Sequence, residues 1–227
     1  MLRIIMTKTV GLDGTFQPDG RSPVLWTSTP PHRTPTTLWV GDRQAVQTWE
    51  APLMHAMADA VARPGGDVLE IGFGLNMSAD RLMAHGCRSY TVIEAHADIA
   101  DWAEAWGKQQ AAPVTVLRGL WQEVLRDLHG QRFDTVFFDT CPTGTHEDQD
   151  WYSAFLPYAA GLTRPGGAFT WFGSGKPLDR TDPSYGVLAS SFPHIETRVV
   201  SNLRPDPSCH YWRAPSFAFT VCRSAPH

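Results

Sequence analysis

The sequence predicts a Rossmann-like α/β fold, with a mostly parallel seven-stranded sheet, an antiparallel edge pair and helices on both faces. Three observations carry this. Short apolar runs alternate with amphipathic stretches over residues 67–172, and such alternation buries a parallel sheet between helical layers. The first run opens straight into a glycine-rich turn, Gly72-Phe73-Gly74. The last two β-rich runs, over 196–201 and 217–222, have little helical sequence between them and read as the antiparallel pair.

The elements follow in order. Residues 1–37 read as an irregular arm folding over the site: PDGRSPVLWTSTPPHRTPTT is rich in Pro and Thr and has no strand or helix period. Trp26 and Trp39 give this region apolar surface to pack. Residues 38–227 form one domain, within the size range of a single core. Over 43–61 the pattern is helical, because Trp49, Leu53, Met57 and Val61 recur every four residues on one face. Arg63-Pro64-Gly65-Gly66 stops that helix. Strands are expected at 67–71 (DVLEI), 90–94 (YTVIE), 114–117, 133–139 (FDTVFFD) and 168–172. Helices are expected at 77–85, 97–107, 121–128 and 152–162.

Bulk properties narrow the function. No run approaches the roughly 18 apolar residues of a membrane span, and the N-terminal apolar run is too short for a signal peptide. A net charge of -4 without any Lys/Arg cluster disfavours nucleic acid. The four cysteines are scattered, which disfavours a disulfide framework or structural zinc. The expectation is a cytoplasmic protein acting on a small molecule, with no nucleic acid or membrane partner and no metal. The arm offers a route to a homodimer. His55, His96 and His210 have no partner set in the sequence.

Ligands of such sheets sit beyond the carboxyl ends of the strands. There the chain reads E-I-G-F-G-L-N-M, from Glu70 to Met77. Glycines let a backbone approach a ligand closely. Glu70 precedes the loop, where a carboxylate suits an ammonium and repels a pyrophosphate. Glu94 ends the next strand, the position from which an acid bonds ribose hydroxyls. Together these favour S-adenosylmethionine (SAM) over NAD. Gly119-Leu120-Trp121 follows the third strand, where Trp121 either borders an adenine or anchors the next helix.

Asp139 ends the fourth strand, pointing out of the sheet, and Glu50 lies one turn before Met54 on the same helix face. Two carboxylates facing a pocket suit a guanidinium, which offers a matched fork of donors. With a solution pKa above about 12, that group must lose a proton to become nucleophilic.

The segments VQTWEAPLMHAMA, VLEIGFGLNMSAD, YTVIEA, RGLWQEV, FDTVFFDTCP and LTRPGGAFTW resemble guanidinoacetate N-methyltransferase and its arginine N-methyltransferase relatives, among the class I SAM-dependent methyltransferases. The resemblance covers roughly 39–171, and CHYWRAP resembles the family's ending. It makes 38–227 the methyltransferase domain and implies SAM contacts at Val46, Met54, Gly72, Phe73, Gly74, Leu75, Asn76, Met77, Glu94, Gly119, Leu120 and Trp121, with Asp139 beside the methyl group. It implies that Glu50 and Asp139 grip the acceptor, Asp139 taking its proton, and that Trp26 closes over the site. The chain departs from the family at FGSGKPLDR, and at Phe138 and Cys141, where relatives carry tyrosines. The expected reaction is therefore methyl transfer to a nitrogen of a guanidino compound. One alternative is an indole or amide of a specialised metabolite such as a tryptophan-containing cyclic dipeptide, held by Trp26, Trp39 and Trp171. Another is protein arginine methylation, and a non-catalytic SAM-binding module is a further reading.

Overall fold

The computed structural model describes residues 26–141 and 152–226. The chain opens with a three-stranded antiparallel meander of β1 (Pro31–Arg33), β2 (Thr37–Val40) and β3 (Arg43–Gln47). This corrects two expectations. The part of the 1–37 arm that is described, 26–37, includes strand rather than only irregular chain, and 1–25 lie outside the described residues. Residues 43–47, expected as helix, are strand because they pair antiparallel with β2, and the Gln44 side chain ties them to the carbonyl of Ser208 at 2.8 Å and the amide of His210 at 2.8 Å. The Ser208 contact lies 164 residues away in sequence, beyond any local pattern.

A single 3₁₀ turn, Thr48–Glu50, leads into α1 (Ala51–Val61), which Pro52 helps to initiate. Leu53, Met54, Met57, Ala58 and Val61 form its buried stripe. There follow β4 (Asp67–Ile71), α2 (Met77–Ala84), β5 (Ser89–Glu94), α3 (Ala97–Gly107), β6 (Val114–Arg118), α4 (Trp121–Val124), β7 (Phe133–Phe138), α5 (Leu156–Leu162), β8 (Thr163–Trp171), α6 (Pro183–Ala189), β9 (His194–Ser201) and β10 (Ser216–Arg223). The expected helix over 121–128 is α4 continued by the 3₁₀ segment Leu125–Leu128. β8 begins earlier than the RPGG segment suggests, and absorbs it as an irregularity in its pairing with β7.

The sheet order is β6-β5-β4-β7-β8-β10-β9. Strands β4 to β8 pair in parallel, and β10 runs antiparallel between β8 and β9. Alternation along the strands makes two cores. Val68, Val92 and Phe137 face α1, α2 and α3. Leu69, Ile71, Val136 and Phe138 face α4, α5 and α6. The meander and the loop around Cys209–Trp212 extend the first core. With helices on both faces, the open place for a ligand is beyond the carboxyl ends of β4, β5, β6 and β7.

Candidate active site

A cavity of about 620 Å³ lies there, in the size range of small-molecule sites. Its floor is the loop after β4. Gly72 has φ +89°, and a Cβ at this position would stand 1.9 Å from the backbone oxygen of Asp139. The glycine therefore admits the neighbouring strand end as well as a ligand. The Gly72 amide bonds Ile93 at 2.9 Å and the Asp139 amide bonds Ile71 at 2.9 Å, tying three strand ends together.

Glu94 lines the cavity. Its Oε2 accepts the Phe73 amide at 3.0 Å and its Oε1 the His96 amide at 2.8 Å. These bonds fix the carboxylate while leaving a lone pair on each oxygen for a diol. Burial raises its pKa and the two amides oppose that rise. Val46, Met54, Phe73, Gly74, Leu75, Met77, Gly119, Leu120 and Trp121 line the same cavity. Trp121 also packs edge-on against Phe138 and Phe155, which is the helix-anchoring role that the sequence offered.

Asp139 lines the cavity, and among the described residues its carboxylate receives no hydrogen bond. Burial alone raises its pKa to about 7. Glu50 lies behind the wall, 4% exposed. Its Oε1 accepts the Gln47 amide at 2.7 Å and the hydroxyl of Tyr211. Its pKa is raised to about 8, first by burial and then by the charge of Asp139, against the lowering from the Tyr211 and Gln47 bonds. Glu50 thus feels the charge of Asp139, and of the two acids Asp139 alone reaches the cavity surface.

Four expected positions are placed differently. Glu70 does not line the cavity, because alternation puts it on the α2 face with Val68, where Ser78 and Tyr90 both donate to it. Its pKa is raised to about 8, chiefly by burial. Ser78, which does line the cavity, is hydrogen-bonded to Glu70. Asn76 lies outside the wall too, since its side chain turns to Asp80 at 2.7 Å. Trp39 and Trp171 line nothing here: Trp39 packs edge-on to His210, and Trp171 stacks on Phe169 over the other core. Trp26 does line the cavity.

Sequence reading missed three contributors. Tyr211 comes from the C-terminal loop, and its only signal was the CHYW segment. Ser153 and Tyr158, before and within α5, form part of the wall. His96 gains partners that no motif showed: its Nδ1 accepts the Asp98 amide at 3.1 Å, so Nε2 donates to the carbonyl of Thr29 at 2.8 Å. Arg33 likewise bonds the Gly74 carbonyl at 3.2 Å and lies 3.8 Å over the Trp102 ring. The meander and the turn that precedes it are thereby fastened beside the glycine loop. Among the described residues no group of His, Cys, Asp or Glu could hold a metal ion, and no helix is long and apolar enough to cross a membrane.

The sheet order, the glycine loop after its central strand and the acid ending the next define the class I methyltransferase fold. Solved structures with this fold include a spermidine synthase from Thermotoga maritima (TM-score 0.59, 12% identity, 87% of this chain and 73% of that one). Another is the N-methyltransferase NodS from Bradyrhizobium japonicum WM9 (TM-score 0.54, 14% identity, 78% and 94%). The model of the guanidinoacetate N-methyltransferase family matches residues 27–176, and the chain belongs to that family. Related sequences include protein arginine N-methyltransferase 2 of Yarrowia lipolytica, 31% identical over 132 residues, covering 55% of this chain and 27% of that protein. The Saccharomyces cerevisiae protein of the same name is 26% identical over 141 residues, covering 59% and 33%. The chain thus spans about a quarter to a third of the length of these relatives.

The methyl donor of this family is SAM, and the residues present fit it. The glycine loop allows close approach, Glu94 presents a carboxylate fixed by two amides where a ribose would lie, and Trp121 with Leu120 offers an apolar slot. Of the expected SAM contacts, Glu70, placed to meet the ammonium, and Asn76 are the two that do not line the cavity.

Proposed function

We propose that this chain transfers a methyl group from SAM to a nitrogen of a small guanidino compound. The observation that carries the reading is the pair of buried carboxylates, Asp139 in the cavity wall and Glu50 behind it, where it feels the charge of Asp139. A buried acid pair without a resident cation on either acid among the described residues favours a cationic ligand, because a cation relieves both the burial and the mutual repulsion. The planar fork of a guanidinium matches carboxylates better than an ammonium does.

When bound, SAM supplies an electrophilic methyl group. Gly72, Gly74 and Glu94 would hold it, with Trp121 at the ring end. Asp139 binds and orients the acceptor nitrogen, and its carboxylate takes the proton which that nitrogen gives up. A carboxylate with a pKa near 7 is a stronger base than an ordinary aspartate and is still half ionised at neutral pH. Glu50 supplies the second negative charge, and Trp26 restricts water. Positioning of this kind contributes more than any single group.

The protein arginine reading draws support from the fungal relatives' names and shares the same acceptor group. A screen with labelled SAM therefore includes guanidinoacetate, agmatine, arginine, an arginine-containing peptide and a tryptophan-containing cyclic dipeptide. The expected outcome is turnover of a free guanidino compound, lowered about 10²–10³-fold in Asp139→Asn. Glu50→Gln should raise the acceptor KM while SAM binding is kept. Turnover confined to the peptide would move the assignment to protein arginine. Turnover only of the cyclic dipeptide, or full activity in both variants, would refute the guanidinium clamp.

A further inference from the structure

Glu50 is held from the far end of the chain. Tyr211, 161 residues later, donates its hydroxyl to Glu50 Oε1, the same oxygen that takes the Gln47 amide. Among the described residues Oε2 receives no hydrogen bond. The phenol is buried, and its ring lies against Trp49 with centroids 6.1 Å apart. The loop carrying it is anchored in turn. Gln47 reaches Thr37 at 3.0 Å and Ser208 at 3.4 Å, Gln44 spans Ser208 and His210, and Trp49 donates to Gln47 at 3.0 Å. Few routes let Glu50 change rotamer without breaking this chain of buried polar contacts.

We propose that Tyr211 is a positioning residue for the methyl acceptor: it fixes Glu50 through Oε1 and thereby presents Oε2 toward the acceptor's guanidinium. This rests on the guanidino reading above. The groups facing Glu50 are Asp139 at the end of β7 and Cys209 and Tyr211 from the C-terminal loop, with Cys141 near Tyr211 and the Gln47 amide beside it. Of these, Tyr211 and the amide favour the charged form of Glu50, whereas Asp139 opposes it. Burial and the neighbouring carboxylate keep the phenol protonated through the neutral range, so it remains a donor. Losing that donor should raise the pH at which Glu50 ionises and free its side chain to turn.

Tyr211→Phe keeps the ring that packs on Trp49 and deletes only the hydroxyl. The expected result is an acceptor KM raised about 5–20-fold at pH 7, partly recovered at pH 9, with the SAM dissociation constant and melting temperature close to wild type. In a Glu50→Gln background the same substitution should change the KM little, as a double-mutant cycle on one interaction requires. A ¹³C carboxyl titration, assigned by its loss in Glu50→Gln, should move to higher pH in Tyr211→Phe. That measurement needs no acceptor. If wild type methylates no guanidino compound, the functional reading fails while the titration still decides the role of Tyr211. An unmoved Glu50 titration would overturn the proposal, as would an unchanged KM with an active wild type. A tightened KM would overturn it too, because Tyr211 would then be competing with the acceptor for Glu50.

Discussion

At the scale of single residues, Gly72 shows how a motif can be read correctly for an incomplete reason. Its place after β4 marked it as a point of close ligand approach, yet its nearest constraint is the backbone of Asp139. A Cβ cannot fit at 1.9 Å from that oxygen, and a φ of +89° suits no other residue well. Gly72→Ala must push the end of β7 away, so stability should fall by about 1–3 kcal/mol. Turnover should fall further than that loss explains, because Asp139 moves with the strand. Gly74→Ala is the control. It sits at φ +51°, and its Cβ would meet only the Val46 side chain at 3.3 Å. Urea unfolding with parallel turnover assays separates the two, and equal effects would remove the argument for strand displacement. The same contrast governs Glu50 and Asp139. Their types and spacing were legible in the sequence, whereas the burial that raises their pKa values, and Tyr211 behind Glu50, belong to tertiary structure.

At the scale of elements, the sheet was legible and the meander was not. Strands β4, β5 and β7 are apolar runs closed by a turn or an acid, so their local pattern and tertiary role agree. The meander strands are three to five residues long and carry Arg43, Gln44 and Gln47, which are buried. Polar side chains read as exposed until distant partners are known, and here those partners include Ser208 and His210. Glu70 failed in the opposite direction, for strand alternation alone assigns it to the α2 face. The meander also makes a prediction. Arg33 bonds the Gly74 carbonyl and covers Trp102, while His96 holds Thr29 just before β1, so three contacts fasten this element and the turn ahead of it beside the glycine loop. Each is worth about 1 kcal/mol. If the closed meander is the form that binds SAM, Arg33→Ala or His96→Ala should weaken SAM binding about 3–10-fold, which calorimetry can read. Unchanged affinity in both would show that the meander does not gate the loop.

At the scale of the whole molecule, the site works against the fold that holds it. Glu50, Glu70 and Asp139 have pKa values raised to about 8, 8 and 7. Each binds its proton more tightly when folded than when unfolded. Between about pH 4 and pH 8 the folded state therefore carries more protons, and stability declines as pH rises through that window. Below it both states are protonated and these acids contribute no penalty. Above it both are ionised and the penalty is complete. Elsewhere Asp59 is held at about 2 by Arg81 and His85, so its contribution has the opposite sign: it is fully present above about pH 4 and is lost as pH falls toward 2. The ligand-free protein should accordingly melt at a lower temperature at pH 8 than at pH 5. Asp139 isolates the effect, since its carboxylate has no hydrogen bond to lose among the described residues. Asp139→Asn should leave the melting temperature near wild type at pH 4. At pH 8 it should raise stability by about 1–3 kcal/mol, or roughly 2–10 °C in a domain of this size. Parallel melting curves for the two proteins across this range would mean that Asp139 is not held against its charge. An active variant of equal stability at both pH values would also remove it as the acceptor's base. A gap that opens with pH would show the ligand-free site storing unfavourable charge at Asp139.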